Sequence, residues 1–167
     1  MNRILRHVVS WLGLAVLVAC TPTLNWRETH FGDRGLQVLM PCKPDTATRT
    51  VQLPSKNQAI DVTLRMQGCE AGDLQFTLAQ MTVPEGVAMN DALSAWRAAS
   101  FVPLSVQSSD VPVQHWRIED ASEAPSPQRA QVRTATHRAQ WVWFAQTNQL
   151  YQAAVYGDAK SSKLDEA

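Results

Sequence analysis

The sequence predicts an α+β domain in which an antiparallel sheet of about six strands carries one central helix. Apolar residues alternate with polar ones over several short stretches that end at Pro, Gly, Asn or Asp, the period-two signature of half-buried strands. Helical spacing appears once with a clear stop: Leu93, Trp96, Ala99 and Ser100 follow i, i+3, i+6 and i+7, and Pro103 closes the segment. The chain is also short enough, at 167 residues, for a single core.

Taken in order, residues 21–26 (Thr-Pro-Thr-Leu-Asn-Trp) read as a short tether. Leu36, Val38 and Met40 alternate with Gln37 and Leu39 and stop at Pro41-Cys42, which gives a first strand. Lys43-Pro44-Asp45 reads as a turn, and 48–53 as a short strand ended by Pro54. Ile60, Val62, Leu64 and Met66 alternate against Asp61, Thr63 and Arg65, the clearest period-two run in the chain. Gly68 to Asp73 reads as a turn, after which Leu74, Phe76 and Leu78 alternate again, so 60–66 and 74–82 form a hairpin. Asn90 and Asp91 offer N-caps to the helix. Short extended pieces follow at 111–113 and 115–118, then a polar loop at 119–128 with Pro125 and Pro127, read as a long hairpin tip projecting from one end. Residues 131–136 form a weakly alternating strand, and 141–146 with 150–156 form a second hairpin around Gln146-Thr147-Asn148-Gln149. Ser162-Lys163-Leu164-Asp165 resembles a capping box that opens a helix two residues from the last residue. A one-turn helix is unstable alone, so the end either frays as a polar tail or stands where a longer relative carries a terminal helix; the second is the expectation.

The first twenty residues address the protein. Arg3 and Arg6 precede an apolar run at 8–18, which stops at small Ala19 before Cys20, the layout of a secretory signal. Leu17-Val18-Ala19-Cys20 resembles the lipobox of bacterial lipoproteins. That resemblance implies cleavage ahead of Cys20, lipidation of Cys20 (including palmitate) and attachment to a membrane through an N-terminal lipid, firm because more than one acyl chain is used. Thr21 in place of aspartate implies sorting to the outer membrane, facing the periplasm. The expected division is therefore a signal at 1–19, a tether at 20–26, one α+β domain at 27–158 and a polar tail at 159–167.

Without residues 1–19 the chain keeps 148 residues, with 13 basic against 15 acidic side chains and no basic stripe, so a nucleic-acid partner has no electrostatic support. With Cys20 assigned to lipid, Cys42 and Cys69 are an even pair in an oxidising compartment, and the expectation is a disulfide.

No residue set announces a reaction. His30, His115 and His137 lie far apart with no zinc-type spacing, so neither a metal nor another cofactor is expected. Serine elbows, Ser-x-x-Lys opening a helix and glycine-rich phosphate loops are absent from the sequence; Ser161-Ser162-Lys163 lies in the polar tail. Glu119, Asp120 and Glu123 cluster in the Pro-rich loop without the pattern of a calcium loop, and read as solvated acids. Five tryptophans follow Cys20, namely Trp26, Trp96, Trp116, Trp141 and Trp143. Trp141 and Trp143 stand two apart on one strand and share a face. That face is either core or an open aromatic shelf able to stack on a sugar, a peptide or a protein anchor, and the pair is the candidate contact surface.

Asn25-Trp26-Arg27, Pro41-Cys42-Lys43-Pro44-Asp45, Gly68-Cys69, Trp96-Arg97 and Leu150-Tyr151 resemble uncharacterised lipoproteins of beta-proteobacteria, over most of the chain after Cys20. The layout also resembles the Mog1/PsbP-type α/β/α sandwich, and that resemblance implies a last helix which this sequence lacks. No catalytic or binding residues carry over. The expectation is a non-enzymatic binding or accessory module with an envelope partner, its contacts made by sheet edges and the tryptophan strand. The competing expectations are a sugar- or peptidoglycan-binding lipoprotein and a periplasmic hydrolase; the latter needs a concave site that gathers His30, His115 or His137 with a carboxylate.

Cys20→Ser is expected to abolish palmitate incorporation and release the chain from membranes. Retention of both in the variant, read by labelling and fractionation, refutes the lipobox.

Overall fold

Strand alternation and one amphipathic helix produce two layers packed on a single large sheet. The computed structural model describes residues 23–32, 35–54 and 59–161. Cys20, the signal segment and residues 162–167, where a terminal helix was considered, lie outside the described residues. The elements are β1 (Arg27–Phe31), β2 (Leu36–Met40), β3 (Asp45–Leu53), β4 (Ile60–Ala71), β5 (Leu74–Thr82), α1 (Met89–Phe101), β6 (Val113–His115), β7 (Gln128–Arg133), β8 (His137–Gln146) and β9 (Gln149–Asp158). Seven strands form one antiparallel sheet in the order β3-β4-β5-β9-β8-β7-β6, and β1 pairs with β2 in a separate two-stranded sheet. The chain leaves the sheet's middle after β5 and crosses the front face as α1. It re-enters at the far edge as β6 and meanders back until β9 pairs with β5.

The front face holds the main core. Ala92, Leu93, Ala95, Trp96 and Phe101 of α1 pack on Val62, Leu64, Met81, Leu150, Trp141 and Trp143. Trp141 and Trp143 stack at 6.0 Å, and Phe101 meets both edge-on at 5.2 and 6.0 Å, the offset and T-shaped geometry that aromatic quadrupoles favour. The Trp141 indole N–H donates to the Tyr156 hydroxyl at 3.0 Å. Burial pushes the Tyr156 phenol above its ordinary value, and the Trp141 bond opposes that push. The neutral phenol thus supports the fold below the usual tyrosine range, and the support is lost as pH rises through the raised value.

The rear face has no helix among the described residues. One of its two covers is the loop after β6; the other is the β1–β2 hairpin, seated at both ends. At one end Phe31 joins Leu78, Phe144 and Tyr151, and Gly32, at φ +72°, comes so close that a Cβ there would collide with Gln80 Oε1. At the other end Met40 joins Leu74 and Phe76, and a disulfide links Cys42 to Cys69 with Cα atoms 5.9 Å apart.

The class is α+β as expected, with one α-helix on an antiparallel sheet of seven strands among the described residues, the seventh being the three-residue β6. Several details are corrected. Strand β3 starts at Asp45, and β2 leaves the main sheet to pair with β1. The turn expected at 68–73 shrinks to Gly72-Asp73, since Gly68 to Ala71 stay paired with β5 and Cys69 is needed on the rear face. Residues 27–31, too polar to read as a strand, form β1 because β2 supplies the pairing and Phe31 alone is buried. Ala88, not Asn90 or Asp91, occupies the N-cap, and no side chain caps the helix; Asp91 sits in the first turn instead, where its charge favours the helix dipole. The tether's last residues are docked: the Asn25 N–H donates to the Pro41 carbonyl at 2.8 Å and Leu24 packs beside Met40. The Pro-rich loop does not project. Ile118 and Ala121 pack on the rear cluster, Pro125 and Pro127 are buried, and the Ser122 N–H donates to the Ala145 carbonyl at 2.8 Å.

Closing 27 residues of chain, the Cys42–Cys69 bond should contribute about 3–3.5 kcal/mol through the unfolded state. Cys42→Ser with Cys69→Ser is expected to lower the unfolding free energy from urea titration by that amount, with a lower midpoint, and shift Trp26 emission to the red as the hairpin loosens. An unchanged midpoint and spectrum would show that the hairpin holds without the bond.

Candidate functional site

Two covers of unequal shape leave part of the rear face open. The hairpin and the loop after β6 both pack on the Phe144–Tyr151 stack, whose rings lie 5.0 Å apart. Between them a groove of about 420 Å³ runs over the sheet, within the range of small-molecule sites. Strand parity makes its floor: Phe76 and Leu78 from β5, Ala153 and Val155 from β9, and Val142 from β8 share the rear face, while their neighbours point into the core.

One wall is Trp26 with Val38, Leu39 and Met40, and the other is Trp116 with Arg129 and Gln131. Trp26 meets Phe76 edge-on at 6.1 Å yet stays 47% exposed; Trp116 is 44% exposed and Leu39 65%. These are three of the four large apolar side chains that stand exposed among the described residues; the fourth, Val102, follows α1. Burying such side chains is favourable by roughly 25 cal/mol per Å², so their gathering on one groove marks the place where an occupant gains most.

Arg129 supplies the charge. Its guanidinium carbon lies 4.1 Å from the Trp116 ring centroid, a cation–π contact, and its Nε donates to Gln114 Oε1 at 2.8 Å. Both partners are neutral, and no described carboxylate pairs with the guanidinium.

The residues singled out from sequence are placed differently. Trp141 and Trp143 are 1% and 0% exposed, so the open-shelf alternative is overturned and the pair belongs to the front core. Strand parity put them on one face correctly; only the packing of Phe101 decides which. The exposed aromatics are Trp26 and Trp116 instead, in segments read as tether and extended piece, where no period signals exposure. His30 on β1, His115 on β6 and His137 on β8 are exposed on three separate elements. His115 Nδ1 lies 3.0 Å from Ser126 Oγ and His137 Nδ1 2.8 Å from Thr136 Oγ. Glu119, Asp120 and Glu123 line a polar depression along the loop, and among the described residues no three His, Cys, Asp or Glu side chains are placed to hold a metal ion. No family model, curated protein or solved structure matches the chain.

Trp26→Phe with Trp116→Phe is expected to remove the red, acrylamide-quenchable part of the emission and leave the blue emission of Trp96, Trp141 and Trp143. Equal quenching before and after the exchange would place the exposed indoles elsewhere.

Proposed function

We propose that this chain is a lipid-anchored envelope protein, held through Cys20 on the periplasmic side of the outer membrane, that works as a non-enzymatic binding or accessory module. The observation that carries the reading is the convergence of Trp26, Leu39 and Trp116 on one groove, with Arg129 at its wall. An exposed apolar groove with a few polar groups is the ordinary form of a recognition site. The anchor reading agrees with the ordered start of the fold: Leu24 is packed four residues after Cys20, so the domain would sit at most about 14 Å of chain from the lipid. Among the described residues no helix is long and apolar enough to cross a membrane. The hydrolase alternative asks for a concave site that gathers His30, His115 or His137 with a carboxylate. His137 shares a shallow depression with Glu70, Asp73 and Asp158, but its ring bonds to Thr136 Oγ at 2.8 Å and to no described carboxylate. The sugar alternative asks for hydroxyl partners along the whole groove, where Gln131, Gln140 and Arg129 stand only on the β7 side and the rest of the floor is Phe76, Leu78, Val142, Ala153 and Val155.

A photocrosslinking amino acid at Gln131, exposed in the groove wall, is expected to yield a discrete adduct in living cells. The same probe at Val102, 68% exposed, serves as the control and should give none. Adducts of equal yield at both positions, or at neither, defeat the groove as the working surface.

A further inference from the structure

We infer that the groove holds one acyl chain of an anionic phospholipid drawn from the membrane that anchors the protein, with the lipid phosphate on Arg129. The inference rests on the proposed anchored binding module and names the occupant of its groove. The floor decides the body of the ligand. It is the face of a sheet, so the strands' backbone N–H and C=O groups are spent within the ladders, and the side chains of Phe76, Leu78, Val142, Ala153 and Val155 look upward, with Gln140 and Gln131 as the polar border on the β7 side. A peptide laid there would bury its own backbone polar groups without partners, and a sugar its hydroxyls, each a desolvation penalty. A hydrocarbon chain has nothing to leave unpaired.

The wall decides the head. Arg129 is positioned by Trp116 and by its Nε bond to Gln114, while its two terminal nitrogens make no hydrogen bond to any described residue. A planar guanidinium with free donors beside an apolar floor is complementary to phosphate. The supply follows from the anchor. Trp26 forms one wall and lies six residues after Cys20, which sets the groove mouth within about 20 Å of chain from the lipid, and exposed tryptophans are suited to the border of a bilayer.

The test uses the full-length lipidated protein in phosphatidylcholine vesicles doped with phosphatidylglycerol whose acyl chain is brominated, bromine being a contact quencher of indole. Quenching is expected to grow with the brominated fraction and to vanish in Trp26→Phe/Trp116→Phe. In Arg129→Gln the half-quenching fraction should rise about tenfold, the scale of a lost charge-assisted bond, with unchanged circular dichroism. Quenching that survives the tryptophan exchange, or ignores Arg129, overturns the inference. Stronger quenching by free brominated stearate than by the phospholipid overturns the membrane lipid as source. A Gln131 adduct of protein mass without bromolipid quenching refutes the lipid and leaves the binding module standing, whereas absence of both removes the two together.

Discussion

The Cys42–Cys69 bond is the constraint on which the rear half of this molecule depends. A seven-stranded sheet has two faces, and one helix covers only the front. Without a second layer, Leu74, Phe76, Leu78, Phe144 and Tyr151 would face water. A lone two-stranded hairpin is marginal in water and cannot serve as a lid by itself. The disulfide fixes its C-terminal end to β4, and Phe31 with Gly32 seats the opposite end against Leu78 and Gln80. A narrow layer clamped at its ends leaves uncovered sheet along its side, and the groove is that uncovered strip.

The two faces are built by different means. In front, Trp141 and Trp143 fill the space under α1, and Phe101 locks both through edge contacts. These side chains interdigitate as a core. Behind, the residues of the same strands are small: Ala153 and Val155 on β9 and Val142 on β8 lie back to back with Ala154 and Trp141. Beside them β5 presents the larger Phe76 and Leu78 to the groove, so each strand specifies both a core and a groove floor through its alternation.

That alternation also explains what could be read from the sequence. The period of β4 and β5 was plain because Ile60, Val62 and Leu64 face a core while Asp61, Thr63 and Arg65 face solvent. Around Gly68 and Cys69 the period fails, since the Cys69 position is chosen for a covalent bond to a distant strand and not for burial by alternation. Strand β1 was invisible for a related reason: Arg27, Glu28 and His30 are exposed on a hairpin with one buried residue, so pairing with β2, not burial, makes the strand. The loop after β6 misled by composition. Its acids and serines suggested a solvated tip, yet Ile118, Ala121, Pro125 and Pro127 suffice to lay it on the sheet. A period shows which side chains share a face, but the identity of that face belongs to the tertiary partners, here Phe101 in front and Phe31 behind.

The same logic bears on the groove. An exposed tryptophan is an unfavourable choice for a surface that has only to be soluble, and Trp26 and Trp116 come from opposite ends of the fold to flank one floor. Trp26 is placed by the Asn25 bond to Pro41, one residue before the disulfide, which ties its wall to the staple. Trp116 is placed by its own N–H bond of 2.9 Å to the Pro127 carbonyl and by Arg129 under its ring. Each wall is thus held by its own backbone bond, and neither depends on an occupant to keep its place. Preorganised walls spare a ligand the entropy of ordering them, which is the physical advantage of building a binding surface on a clamped hairpin beside a sheet rather than on a free tether.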